Sequence, residues 1–163
     1  MNIPFETYNS KFGLLTIGEG PENNFVWRGN IDISNNIFSA QIPIYIFTKE
    51  RTIPSNVIDL AEIIVLNIDQ YLEKSILFIK QTLTEQPEKY KIRKNEYDYL
   101  NLDINNFPID VPELTFWEHS NEWMIRFAEG KFYICDPLGI SVTYNFSNPI
   151  TVDNIEDSEY LDD

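Results

Sequence analysis

Residues 55–86 contain neither glycine nor proline, and within them Ala61, Val65, Ile68, Leu72, Ile76, Ile79 and Leu83 recur at steps of three and four. That is the period of a helix with one apolar face, and Pro54-Ser55 supplies its start. Asp59, Glu62, Asp69, Glu73, Lys74 and Lys80 lie largely off the stripe. The spacing predicts one long amphipathic helix, or two collinear ones if the β-branched run Ile63-Ile64-Val65 breaks it. A stripe this regular needs an apolar surface over it, supplied by the chain's own sheet or, alternatively, by a second copy in a coiled coil.

The flanking thirds have the period of strands. Phe12–Ile17 is a short apolar run closed by the loop Gly18–Asn24. From Phe25 to Ile33, Phe25, Trp27, Ile31 and Ile33 alternate with Val26, Arg28, Asn30 and Asp32, the pattern of a half-buried strand. Gly29 sits on the buried face. A third strand over 38–47 puts Ile42, Ile44 and Ile46 on one face, and Pro43 predicts an edge position or an outward-pointing missing donor. Residues 84–113 show no clear period and read as a connection with some short strand or turn.

Beyond that connection, four strands are expected: Leu114–His119, Glu122–Ala128, Lys131–Asp136 and Ile140–Phe146. With two-residue hairpins, Phe127 would face Phe132, Ile125 would face Ile134 and Phe116, and Trp123 would lie near Asp136. Leu114, Phe116, Trp123, Ile125, Phe127, Phe132, Ile134, Ile140, Val142, Tyr144 and Phe146 then form the core face. The opposite face carries Thr115, Trp117, His119, Met124, Arg126, Tyr133 and Cys135, continued by Tyr45 and Phe47. The expected architecture is α+β: an antiparallel sheet of about six to seven strands with one long helix on one face, in the order βββ-α-ββββ. Residues 1–152 make a single domain, and 153–163 an acidic tail.

Charge narrows the partners. The 163 residues hold 26 Asp/Glu against 12 Lys/Arg, a net of −14. Residues 1–80 carry nine acids and six bases, whereas residues 81–163 carry seventeen acids and six bases. Glu96, Asp98, Asp103, Asp110, Glu113, Glu118 and Glu122 fall in a stretch with no lysine or arginine. The tail adds Asp153, Glu156, Asp157, Glu159, Asp162 and Asp163. The only basic cluster is Lys89, Lys91, Arg93 and Lys94. Phosphate contacts are made by Lys and Arg, so nucleic acid and anionic membranes are poor partners and a basic protein is a good one. At 43% hydrophobic and 14% aromatic, the chain is too rich in core formers for a disordered polyanion.

Few residues of the chain fit a catalytic motif. There is no glycine-rich phosphate loop, and one cysteine and one histidine cannot make a zinc site. No cofactor or metal is expected. The lone Cys135 calls for no oxidising compartment, and no leader or membrane-length apolar run is seen, so a cytoplasmic location is expected. Cys135, with His119 on the same expected face, is the sole nucleophilic candidate.

Two segments resemble a known group. Trp27-Arg28-Gly29-Asn30-Ile31-Asp32-Ile33 looks like the W-x-G-x-I-x-I strand of small bacterial proteins of the DUF2004/DUF6985 type. Trp123–Phe127 followed by Cys135-Asp136-Pro137-Leu138-Gly139-Ile140 resembles their final hairpin, with Leu138-Gly139 where His-Gly is usual. The resemblance implies strands, a long helix and strands, and an immunity or inhibitor role. It implies no catalytic residues.

Together these observations predict a non-catalytic acidic binding protein, most concretely an immunity-type inhibitor occluding a basic toxin or nuclease. Trp117, Tyr133, Met124 and Arg126 would be its anchors and the seven acids its attraction. Alternatives are a regulatory module that homodimerises through the second sheet face, and a cysteine-dependent enzyme.

Overall fold

The structure is a computed structural model that describes residues 6–35 and 37–154. Eight strands form one sheet in sequence order: β1 (Thr7–Ser10), β2 (Gly13–Glu19), β3 (Phe25–Ser34), β4 (Ser39–Thr48), β5 (Ile109–Trp117), β6 (Glu122–Gly130), β7 (Ile140–Asn145) and β8 (Asn148–Asp153). Every neighbouring pair is antiparallel except β4 and β5, which run parallel. A parallel pair needs a long crossover, and the helices supply it. They are α1 (Ser55–Leu66), α2 (Ile68–Glu85) and the single turn α3 (Tyr97–Leu100). The class is α+β as expected. The sheet has eight strands rather than six or seven, because Thr7–Ser10 and Asn148–Asp153 lack an apolar alternation that would mark them.

The helical stripe is core throughout: Ala61, Val65, Ile68, Leu72, Ile76, Ile79 and Leu83 are all buried. The long helix is two. The break falls at Asn67, just past the β-branched run, where φ −116° and ψ 27° leave the helical region. The Asn67 side chain there donates to the carbonyl of Ile63 at 2.8 Å.

Against these helices lie Leu15, Trp27, Ile42, Ile44, Ile46, Leu114, Phe116, Trp123, Ile125, Phe127, Ile140, Val142 and Tyr144, one face of the sheet. Phe116, Trp123 and Tyr144 are direct neighbours on three adjacent strands. Their rings stack, at 5.6 Å and 4.3 Å between centroids, and Tyr71 of α2 meets Trp123 edge-on at 5.2 Å. The polar atoms in this cluster are paired, as burial requires. The Trp123 indole N–H donates to the carbonyl of Phe146 at 2.7 Å, and the Tyr144 and Ser75 hydroxyls are 2.7 Å apart. Burial, partly offset by the Ser75 hydrogen bond, pushes the Tyr144 phenol up to about 12.

Three strand-level expectations are corrected. Lys131–Asp136 is not a strand: it is a loop with a 3-10 turn at Tyr133–Cys135. Phe132, Ile134 and Cys135 are all buried, so the alternation fails after two residues, and β7 takes the place beside β6. Accordingly Phe127 faces Pro112 and Ile140, Ile125 faces Leu114 and Val142, and Trp123 faces Phe116 and Tyr144. The β5–β6 register differs by two residues from the expected one, which leaves every side chain on its expected face. Phe146 is 53% exposed, in the left-handed region (φ 51°) of the β7–β8 turn. Pro43 is within β4, an interior strand, but β5 pairs with β4 only over Ile44–Phe47, so at Pro43 the strand has one neighbour and a missing donor costs little.

Candidate functional site

With one layer of helices, the sheet has a second face over which no described helix packs. The register assigns its residues. One row runs Gly18, Val26, Phe47, Trp117 across β2 to β5, and the next runs Thr16, Arg28, Tyr45, Thr115, Met124, Thr143, Thr151 from β2 to β8. A third places Glu113 beside Arg126 and Arg126 beside Ser141. Trp117, Met124 and Arg126 therefore share one face with Tyr45 and Phe47, as the alternation suggested. All five are partly exposed.

The middle of this face is held by an ion pair. Arg126 Nη1 lies 3.1 Å from Glu113 Oε1, and both side chains are 18% exposed. Burial raises the Glu113 carboxyl, and the guanidinium pulls it back. Burial likewise raises the Tyr45 phenol, as does Glu113, while Arg28 and Arg126 oppose the shift. Arg28 is exposed and Asp32 sits two residues along the same strand face. The face thus combines aromatic and thioether surface with balanced charge, the composition of a protein-docking surface more than of an ion site.

Tyr133 does not belong to it. It sits in the 3-10 turn, 53% exposed, with the Arg93 guanidinium 3.8 Å over its ring. The connection 86–108 packs on the helix side: Tyr99 and Phe107 contact the Phe132 ring at 5.6 and 5.5 Å, and Lys80 Nζ donates to the carbonyl of Leu102 at 2.7 Å.

The seven acids divide. Glu96 is buried and its two oxygens accept the backbone N–H groups of Arg93 and Tyr133 at 2.8 and 2.7 Å, which ties the connection to the 3-10 turn. Glu113 is in the ion pair. Glu118 accepts the Lys49 N–H at 2.5 Å and lies 2.9 Å from the His119 ring nitrogen. Asp98, Asp103, Asp110 and Glu122 remain exposed, although Asp103 accepts from the Asn106 side chain at 2.8 Å and Asp110 from the N–H of Val111 at 2.8 Å. Asp110 pairs with Glu129 near one end of β6 and Glu122 begins the other end, so the acids make no single patch. Of the tail, Asp153 closes β8; Glu156, Asp157, Glu159, Asp162 and Asp163 lie outside the described residues.

The nucleophile and the histidine are not together. Cys135 is buried in the core cluster against Gly130 at one end of β6, and His119 is in the turn before its other end, about 25 Å of strand away. Desolvation pushes the Cys135 thiol up to about 12, aided by Glu96 and opposed by a hydrogen bond from the Phe132 backbone. Among the described residues no three His, Cys, Asp or Glu side chains converge as metal ligands, and no helix is long and apolar enough to cross a membrane.

Two features were not legible in the residue pattern. Thr16 joins the row of Thr115 and Thr143 only through the β4–β5 pairing, which spans 60 residues of crossover. A groove of about 620 Å³ between the end of α2 and β8 depends on β8, which carries no strand signal. No family model, no curated protein and no solved structure matches this chain.

Proposed function

We propose that this chain is a non-catalytic binding protein that docks a basic protein partner on the open face of its sheet, in the manner of an immunity-type inhibitor. The observation that carries the reading is the face itself: Trp117, Tyr45, Phe47 and Met124 side by side, partly exposed, with no described helix over them, in a chain of net charge −14. Aromatic and Met side chains gain most from desolvation by a partner. The exposed acids Asp98, Asp103, Asp110 and Glu122, spread around the molecule, act through the overall field, which speeds encounter with a cationic surface.

The test is co-expression and co-purification with the product of the gene adjacent to the one encoding this chain. A complex whose association slows and loses salt dependence in the D98N/D103N/D110N/E122Q variant supports the reading. An unchanged association rate removes its electrostatic half. The homodimer reading is favoured by the same open face, and sedimentation separates the two. A concentration-dependent dimer abolished by Trp117→Ala would assign the face to self-association.

A further inference from the structure

Arg126 is tied to the open face through one nitrogen. Its Nη1 reaches Glu113 Oε1 at 3.1 Å. Its Nε is out of contact with solvent and has no acceptor among the described residues, a standing cost for a buried donor. Nε and Nη2 form the side-on edge of a guanidinium, which meets a carboxylate with two parallel hydrogen bonds. Glu113 thus fixes the group and leaves that edge unspent. The other charges of the face do not compete for it. Arg28 leans over β2, its Nη1 3.1 Å from where a Cβ on Gly18 would stand. Asp153 shares the row of Arg126 but lies two strands away, on β8 beyond Ser141. Met124 precedes Arg126 by two residues on the same strand face, and the Tyr45 phenol feels the Arg126 charge.

A partner that covers Tyr45 and Met124 covers this edge as well, and a desolvated guanidinium then needs an oxygen from the partner. We propose that the partner seats a carboxylate side chain on the Nε–Nη2 edge of Arg126, so that an otherwise basic surface carries one acid at the centre of its contact. The inference rests on the open-face reading and names the anchor chemistry of that face. The two electrostatic roles divide. Acids spread over the molecule steer a cationic surface inward and set the association rate, whereas Arg126 sets how long the right one stays. A basic surface without the acid buries the guanidinium against like charge and is rejected.

Binding kinetics of the full chain with the product of the adjacent gene test it. Arg126→Lys keeps the charge and a donor for Glu113 but lacks the fork. Its complex should dissociate about tenfold faster or more, with little change in association. The D98N/D103N/D110N/E122Q variant should show the reverse, slower association and unchanged dissociation. On the partner, one Asp→Asn or Glu→Gln substitution should bring the same acceleration and add nothing to Arg126→Lys. Dissociation of Arg126→Lys at the parent rate overturns the proposal. So does a partner scan in which no carboxylate matters, a result read on the parent chain even if Arg126→Lys folds poorly. Hydrogen exchange separates the two readings. Protection of residues 45–47 and 124–126 with an unchanged Arg126→Lys rate removes the arginine anchor alone; no protection there, or no complex, removes the open-face reading with it.

Discussion

Glu96 shows how little a carboxylate's place in the sequence says about its work. It stands in a run of acids that looks like surface, yet it is buried and takes the N–H groups of Arg93 and Tyr133. Glu96→Ala leaves both donors unmet, and urea denaturation should record a loss of about 1–3 kcal/mol, the cost of such orphaned groups. Asp98→Ala, two residues along and exposed, should change stability by less than about 0.5 kcal/mol. The buried protonated groups set the alkaline limit. The thiol of Cys135 and the phenol of Tyr144 are each pushed up to about 12 in the folded chain, above their unfolded values. The unfolded state therefore loses these protons first, and the contribution is intact below pH about 9 and lost as pH rises toward about 12. Unfolding free energies measured from pH 8 upward should fall steadily across that window. At neutral pH the same thiol is nearly all protonated, so alkylation by iodoacetamide in the native protein should be slower than for free cysteine.

At the scale of elements, the stripe in 55–86 was legible because each of its residues had one job, facing the sheet. Leu72→Ala or Ile76→Ala, both buried, should cost about 2–5 kcal/mol through the cavity each leaves. The equally apolar Ile63 and Leu66 are 57% and 65% exposed on α1, and their alanine variants should stay within about 1 kcal/mol of the parent. Face assignments within strands were legible for the same reason: period two survives a register shift of two. What failed was the inference from alternation to pairing. Phe132 and Ile134 have strand spacing, but they anchor a loop against Tyr99 and Phe107, and the adjacent buried Cys135 has no place in a strand pattern. Gly139 closes that loop at φ 85°, where a Cβ would collide with the carbonyl oxygen of Phe127. Gly139→Ala should lower the melting temperature more than any surface alanine substitution, since neither the conformation nor the space admits a side chain.

For the whole molecule, two antiparallel meanders are joined edge to edge by one parallel pairing, and all described helices cross on the same side. That topology joins the two halves of the open face: strand alternation put Tyr45 and Trp117 on it, but only the crossover sets Tyr45 beside Thr115. Trp117, Met124 and Arg126 were legible as a set because they lie on adjacent strands, whereas Tyr133 was grouped with them by a strand that does not exist. The acidity belongs to the molecule as a field more than to any patch, since Glu96, Glu113 and Glu118 are engaged internally. The most direct test of docking on the open face is hydrogen exchange on the complex with the neighbouring gene's product. The account predicts new protection in residues 45–47, 115–117 and 124–126 and none along α2; protection confined to the helix layer, with those strands exchanging as in the free protein, would contradict it.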